Sequence, residues 1–354
     1  MISQMLDGKG DVAANILLSR QFKELDPSLD IRFLLPRADE KDFRLLAEED
    51  EVGRALFASN HSHVNEVLRV HGQGNLPVFC FACMRGFAVV YDFINENIEY
   101  RKQGQEKHPL LQTLVRDSLG NSVYEFGEQG RAPFYYIVPK EEDSDFKKRP
   151  NFVYAYSHSS YSQLIYFLAL ERYLRAEGVS GTVDVWSNHP NVFQELDVEG
   201  LDSLMSRFRF VSGESKMQSH ERAIQESSYP PLVTGDVSFS FAVQAAQAFV
   251  YERRFHKQNM YLSFISQFVL SQRNAFNGLA FLDEAASIEL KDNVSYQEMR
   301  IETEELFQFL SNAPLLESFA KWMRDQQKDF SLALALLSLL QKEASGQGCE
   351  GLLH

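Results

Sequence analysis

Two aspartates flank a glycine-containing turn near the beginning of the sequence, Asp7-Gly8-Lys9-Gly10-Asp11. Glycines let the backbone approach a ligand closely, and carboxylates at this position could orient a nucleophile and remove its proton. A short apolar run, residues 2–6, precedes the turn, and a helical pattern, residues 12–25, follows it. Asp11 is therefore expected at or near a helix N-cap, where aspartate is also common without any catalytic role. The turn is a candidate catalytic site, with a helix cap as the alternative.

A second candidate lies at residues 234–239, which read Thr-Gly-Asp-Val-Ser-Phe between a short strand pattern and a helical one. The free N–H groups of a helix start suit a diphosphate, and a nearby hydroxyl or carboxylate suits a ribose. The candidate contacts for such a ligand are Gly235, Asp236, Ser238 and Phe239. The alternative is again a simple cap, with Asp236 or Ser238 as the N-cap residue.

A third candidate, residues 157–161, also follows a strand pattern and precedes a helical one. Tyr154 and Tyr156 come just before it, and aromatic rings beside small polar residues could hold a nucleobase by stacking. Tyr156 is the candidate contact. Core packing of the tyrosines is the alternative.

Other chemically suggestive residues are weaker candidates. His61 and His63 form a His-x-His pair without a matching carboxylate, which favours an exposed loop over a metal site. The three cysteines include Cys80 and Cys83 in a Cys-x-x-Cys spacing, but no second pair completes a zinc site. The basic residues of 253–257 could meet a phosphate or form an ordinary solvated loop. We expect neither a metal nor a tightly bound cofactor.

The elements that would position these residues alternate between strand and helix patterns. The charged stretch at residues 140–150, which ends in proline, interrupts this alternation and predicts a domain boundary. We predict an N-terminal domain at residues 1–145 and a C-terminal domain at residues 150–354. Strand patterns in the second domain fall at residues 152–157, 182–186, 207–211, 232–234 and 249–252, with helical patterns at 161–177, at 216–225 and from 238.

From residue 259 onward the sequence predicts only helices, most strongly at residues 296–310, 315–326 and 331–343. The whole pattern indicates an α/β protein with two facing, doubly wound, Rossmann-like domains closed by C-terminal helices. That is the GT-B architecture. Ligands of such sheets bind at the carboxyl ends of the strands.

Composition limits the possible partners. The chain has 354 residues, a net charge of -14 and an estimated pI of about 5.2. This balance repels phosphate backbones and anionic lipid surfaces, so nucleic acid and membrane partners are not expected. A single nucleotide is still compatible, because a helix N-terminus holds a diphosphate without net positive charge. No apolar stretch reaches the roughly 18 residues that span a bilayer, so we expect a cytoplasmic protein.

Taken together, the motifs resemble the bacterial protein-arginine rhamnosyltransferases that modify elongation factor P. That family opens with an Asp-x-x-Gly-Asp turn, and its further short motifs occur in the same order along this chain. The matching segments are Asp7-Gly8-Lys9-Gly10-Asp11, Phe81-Ala82-Cys83, Asn97-Ile98-Glu99-Tyr100, Tyr154-Ala155-Tyr156-Ser157, residues 234–239 and Ala248-Phe249-Val250-Tyr251.

The resemblance implies an inverting, metal-independent glycosyltransferase of GT-B fold. It implies dTDP-rhamnose as the nucleotide-sugar donor and an arginine of elongation factor P as the acceptor. Asp11 would be the catalytic base, with Asp7 in the same turn, and Asp236 and Ser238 would contact the donor. Two alternatives stay open: a nucleotide-sugar epimerase or hydrolase of the same fold, and an inactive relative that only binds a nucleotide-sugar.

Overall fold

A computed structural model describes residues 10–28, 33–35, 44, 61–63, 147–192, 204, 206–211, 217–253, 258–272, 287–289 and 296–329. Contacts within the chain define two compact units, one of which is Lys140–Asp329. The predicted Cys-x-x-Cys pair, the motifs at residues 81–83 and 97–100 and the helix at residues 331–343 lie outside the described residues.

The described elements of the N-terminal unit are one helix and two short strands. Helix α1 spans Gly10–Leu25, and strands β1 (Phe33–Leu35) and β2 (His61–His63) pair in parallel. The helix expected at residues 12–25 is confirmed, and its apolar positions Ile16 and Phe22 are buried. The prediction of a loop at His61–His63 is wrong, because this segment pairs with β1. Its three residues are all polar, so the sequence shows no alternation of apolar and polar residues that would indicate a strand.

The unit Lys140–Asp329 is built on a six-stranded, wholly parallel sheet. Its strands are β3 (Phe152–Ala155), β4 (Val183–Ser187), β5 (Phe208–Val211), β6 (Leu232–Val233), β7 (Val250–Arg253) and β8 (Ser287–Glu289). The order across the sheet is β5-β4-β3-β6-β7-β8. Counted within this unit, the order is 3-2-1-4-5-6, which is that of the doubly wound Rossmann sheet.

Helices connect and flank these strands. They are α2 (Ser160–Ala176), α3 (Met217–Glu226), α4 (Asp236–Gln244), α5 (Gln258–Ser271), α6 (Tyr296–Leu310) and α7 (Ala313–Asp329). The predicted mixed α/β class with a parallel sheet is therefore confirmed for this unit. The prediction that only helices follow residue 259 is wrong, because Ser287–Glu289 forms the edge strand β8 beside β7. Three residues with one apolar side chain are too few for a strand pattern.

Burial on both faces explains why the strand sequences are almost continuously apolar. Every residue of β3 is buried, as expected for a central strand of a parallel sheet covered by helices. Phe239, Phe249, Phe264 and Phe319 form an aromatic core in which α4, α5 and α7 meet β7. Among the described residues, no helix combines the length and the apolar character needed to cross a membrane.

Candidate functional site

The strand order of the larger sheet reverses between β3 and β6. These two strands are neighbours, with Ala155 paired to Leu232 and the Tyr156 N–H donating to the Leu232 carbonyl at 2.9 Å. In open parallel sheets, ligands bind outside the carboxyl ends of the strands at such a reversal. The turns that leave β3 and β6 contain the second and third candidates of the sequence, so the fold brings these two segments together.

The turn after β6 begins helix α4 with a glycine. Gly235 is the N-cap residue, with a φ of 76°, and as a glycine it has no side chain that could cap this helix end. A φ in this range is accessible to glycine at little cost. The first N–H of α4 with a helical acceptor is that of Phe239, which donates to the Gly235 carbonyl at 3.2 Å. The N–H groups of residues 236–238 precede it, so the helix supplies no acceptor for them.

Two side chains of this turn have structural partners. The Ser238 hydroxyl donates to the Thr234 carbonyl, and the side chain of Ser238 is buried. Phe239 is wholly buried and packs edge-on against Tyr251 at 5.5 Å. The side chain of Asp236 lies outside the description. The prediction that Asp236, Ser238 and Phe239 contact a donor stays a prediction.

The turn after β3 is held by one of its own side chains and by side chains from two neighbouring segments. Ser159 is the N-cap of α2, and its hydroxyl accepts from the Tyr161 N–H at 3.1 Å. The amide of Asn188 accepts from the Ser157 N–H at 3.2 Å and donates to the Ser157 carbonyl at 2.6 Å. The buried carboxylate of Glu252, on β7, accepts from the N–H groups of residues 158 and 159. The backbone of this turn is therefore already bonded.

An aromatic cluster lies beside this turn and consists of Tyr154, Tyr156, Trp186 and His220. Tyr154 stacks on Trp186 with ring centroids 4.9 Å apart, and the edge of Tyr156 meets His220 at 5.3 Å. Tyr156 is half-buried, whereas Tyr154 is wholly buried. The Trp186 indole is 8% exposed, and its N–H finds no hydrogen-bond acceptor among the described residues. The cluster offers two partly exposed rings, those of Tyr156 and His220.

Burial shifts the pKa values of two side chains in the aromatic cluster, His220 and Tyr154. Burial lowers the pKa of His220 to about 4, so its imidazole is neutral at pH 7. The Tyr154 hydroxyl lies 2.7 Å from the Nδ1 of His220. Burial, with a smaller contribution from Tyr156, raises the pKa of Tyr154 well above its usual value, so this hydroxyl keeps its proton. A protonated phenol beside a neutral imidazole is a stable donor and acceptor pair.

The catalytic candidates of the first turn are only partly described. Asp7 lies outside the described residues, and Asp11 is the second residue of α1, with its side chain outside the description. Arg253 ends β7, and residues 254–257 of the basic cluster lie outside the description. In the part of the chain that is described, no cluster of His, Cys, Asp and Glu could hold a metal ion.

Sequence reasoning missed four residues of this edge: Gln163, Trp186, Asn188 and Glu252. Glu252 carried a usable signal, because a glutamate at the end of an apolar strand pattern must find a buried partner or point out of the sheet. Gln163 is identified only by the structure, in which it is wholly buried in α2 and bonds the Ala155 carbonyl at 3.1 Å. The partners of Glu252, residues 158 and 159, are distant in sequence, and only the strand order brings them to it.

A separate cavity of about 450 Å³ opens at the opposite, amino edge of the sheet. Its arginines are engaged within the protein: Arg207 donates to the Val179 carbonyl at 2.5 Å, and Arg175 pairs with Glu171 at 2.8 Å. Because ligands of parallel sheets bind at the carboxyl edge, we favour the β3–β6 edge as the functional site despite this cavity.

Comparison with known proteins gives little further information. No protein family matches the sequence, and no curated protein matches it. Among solved structures, the chain has a distant similarity to the pneumococcal O-GlcNAc transferase GtfA in complex with UDP and GlcNAc, with a TM-score of 0.37 and 10% identity. The similarity covers 72% of this chain and 44% of that one. It is too weak to assign a fold, and the resemblance to the arginine rhamnosyltransferases gains no support from these comparisons.

Proposed function

We propose that this protein is a glycosyltransferase that binds the diphosphate of a nucleotide-sugar at the carboxyl edge of its larger sheet. The observation that carries the proposal is the start of α4. It lies at the β3–β6 reversal of strand order, and Gly235 begins the helix without a side-chain cap. The N–H groups of residues 236–238 and the positive end of the helix suit a diphosphate.

The surroundings of this helix start support a nucleotide over a free phosphate. Tyr156 presents a half-buried ring just after β3, and its N–H donates to the Leu232 carbonyl of β6, the strand that leads to α4. A nucleobase would stack on this ring beside Trp186, whose ring centroid lies 6.3 Å from that of Tyr156. Such aromatic contacts contribute about 0.5–1.5 kcal/mol beyond the apolar area that they bury.

The turn after β3 disfavours the dinucleotides that many sheets of this order bind. Dinucleotide-binding sheets carry a Gly-x-Gly-x-x-Gly pattern after the first strand, where backbone approaches the pyrophosphate. The corresponding residues here are Ser157-His158-Ser159-Ser160, without a glycine. A nucleotide that binds through α4 therefore fits this edge better than NAD does.

Sugar transfer would then proceed as a single displacement. The acceptor attacks the anomeric carbon, the bond from that carbon to the diphosphate oxygen breaks, and the nucleoside diphosphate leaves with the bonding electrons. The N–H groups at the start of α4 would stabilise the charge on the leaving group. We assign the acceptor proton to Asp11, because the opening Asp7-Gly8-Lys9-Gly10-Asp11 turn matches the family resemblance at both aspartates.

The finer part of the proposal follows from that resemblance alone. It makes dTDP-rhamnose the donor and an arginine of elongation factor P the acceptor, with a GT-B arrangement of two Rossmann-like domains at residues 1–145 and 150–354. A guanidinium is cationic and delocalised, so a carboxylate is needed to hold it and to withdraw its proton as the new bond forms. Asp11 and Asp7 would supply that charge.

Replacing the proposed base tests the function. We expect Asp11→Asn to lower the transfer rate by about 10²–10⁴, because general-base assistance is lost, while nucleotide affinity stays within about twofold of the parent. Transfer is measured with UDP- and dTDP-sugars and a protein or small-molecule acceptor, and affinity by calorimetry.

Asp26→Asn is the matched control, because Asp26 follows the other end of α1 and bonds Ser28. Transfer at the parent rate by the Asp11→Asn variant would exclude Asp11 as the base. Hydrolysis or epimerisation of the nucleotide-sugar without transfer would favour the other enzyme class. Failure of every nucleoside diphosphate to bind would contradict the proposed function itself.

A further inference from the structure

The carboxylate of a buried glutamate from another element lies at the start of helix α2. Glu252 lies on β7, and its carboxylate reaches across β6 to the turn that leaves β3. Its Oε2 accepts from the His158 N–H at 2.7 Å, and its Oε1 accepts from the Ser159 N–H at 3.1 Å. The residue is 0% exposed. Both oxygens of a fully buried carboxylate therefore accept from consecutive backbone N–H groups.

This arrangement is an anion-binding one. Consecutive N–H groups that converge on one point, next to the positive end of a helix, form a concavity that favours negative charge. Ser159 is the N-cap of α2, so the Glu252 carboxylate lies at that positive end. In sheets with the order seen here, the turn after the first strand is where a ligand phosphate binds.

We propose that Glu252 is a positioning residue whose carboxylate fills the anion position of the turn after β3, so that this turn takes no ligand phosphate. The remaining N–H of the turn supports this assignment. Ser157 donates to Asn188 at 3.2 Å, so the N–H groups of residues 157, 158 and 159 all have protein acceptors. The consequence that a diphosphate goes to the start of α4 instead rests on the proposed function.

Filling this position from within the chain also fixes the neighbouring groups. The Ser157 hydroxyl donates to the Ser159 carbonyl at 2.8 Å, which closes the turn around the N–H groups that Glu252 binds. Tyr156 directly precedes this turn. Loss of the carboxylate would leave two part-buried donors without an acceptor, which is destabilising.

Emptying the position tests the proposal without using a nucleotide. Glu252→Ala removes the carboxylate and leaves the two N–H groups facing a vacated space. We expect its thermal midpoint to fall in sodium chloride and to recover in sodium sulfate or phosphate of equal ionic strength, by at least about 4 °C and saturably. The parent should gain only the smaller, non-saturating stabilisation that excluded anions such as sulfate and phosphate give to folded proteins in general.

Glu177→Ala is the matched control, because Glu177 is an exposed glutamate at the C-cap of the same helix. It should leave the midpoint close to that of the parent and respond to sulfate as the parent does. If Glu252→Ala does not fold in chloride, sulfate should restore its folding. Equal midpoints of the two alanine variants, or a Glu252→Ala variant that sulfate and phosphate stabilise no more than they stabilise the parent, would overturn the proposal.

Glu252→Gln provides the second variant. It keeps the volume but supplies one acceptor oxygen where two N–H groups need acceptors, so it should be less stable than Glu177→Gln and should respond to sulfate only as the parent does. Stability equal to that of Glu177→Gln would also overturn the proposal. If the parent binds no nucleotide while Glu252→Ala still gains its sulfate response, the proposed function fails and the assignment of Glu252 stands.

Discussion

His220 shows how burial selects one protonation state of a side chain at the candidate site. Its Nδ1 lies 2.7 Å from the Tyr154 hydroxyl, and its ring packs against Trp186 at 4.6 Å. Burial lowers its pKa to about 4, below the value of about 6.5 in an unfolded chain. The unfolded chain therefore takes up this proton first as the pH falls, and stability is lost between about pH 6.5 and pH 4.

This shift predicts the pH dependence of a variant. His220→Asn keeps an acceptor near the Tyr154 hydroxyl but does not titrate. Between pH 7 and pH 5, we expect the parent to lose about 1–2 kcal/mol more unfolding free energy than the variant loses. Urea unfolding at a series of pH values measures this difference. His158→Asn, which removes an exposed ring, is the control and should keep the slope of the parent. Equal slopes for His220→Asn and the parent would contradict the shift.

Single residues of the site differ in how far sequence could predict them. The positions of Tyr156 and Gly235 between a strand and a helix were predictable, because each falls at the end of a strand pattern and before a helical one. Ser238 bonds the Thr234 carbonyl, and Phe239 is part of the core. Sequence alone could not predict these structural roles, because residues that contact a ligand at a helix start would show the same local pattern. Glu252 required knowledge that β7 lies beyond β6.

At the scale of elements, the start of α4 depends on one glycine. Gly235 has a φ of 76° and a ψ of 172°, a region that residues other than glycine enter at a cost of about 1–3 kcal/mol. We expect Gly235→Ala to lower the unfolding free energy by that amount. Since the change also shifts the N–H groups of residues 236–238, it should weaken nucleoside diphosphate binding about tenfold or more, measured by calorimetry.

Gly178→Ala is the control for backbone strain. Gly178 also has a positive φ, of 67°, and an added Cβ there would meet no atom within 4 Å. Its variant should be destabilised by about 1–2 kcal/mol and bind nucleotide as the parent does. If Gly235→Ala folds stably and keeps full affinity, the start of α4 does not hold the diphosphate.

The elements with strong periodicity were predictable, and the weakly patterned ones were not. The sequence prediction for residues 296–310 coincides with α6, because its apolar residues recur at helical spacing. The predicted strand at residues 152–157 ends two residues early, at Ala155, since Ser157 already belongs to the turn and bonds Asn188 instead of a neighbouring strand. The strands β2 and β8 are recognised only through pairing with a neighbour, which is a long-range interaction.

At the scale of the whole molecule, the predicted boundary at residues 140–150 has one end that packs on the larger sheet. The Arg149 N–H donates to the Glu226 carbonyl at 2.8 Å, and its guanidinium pairs with Asp184 at 2.5 Å. Asp184 also pairs with Arg209 at 2.6 Å. Hydrogen bonds and an ion pair thus attach residues 147–150 to the rest of the unit Lys140–Asp329. The two domains proposed at residues 1–145 and 150–354 stay a prediction.

The net charge of -14 belongs to the same scale. A chain this acidic repels a nucleotide at long range, so affinity must come from a few groups in direct contact with it. Backbone N–H groups at a helix start meet that requirement, because they carry partial positive charge at all pH values and need no lysine or arginine. Affinity for a diphosphate should therefore exceed affinity for the corresponding monophosphate.

Residue-resolved hydrogen exchange in the presence of UDP and dTDP tests the central claim most directly. The account predicts that a saturating nucleoside diphosphate slows exchange of the amides of residues 236–238 by about tenfold or more, because the phosphate becomes their acceptor. UMP, dTMP and NAD should have smaller effects there. Binding of a nucleoside diphosphate without any change at residues 236–238, or absence of binding altogether, would contradict the account.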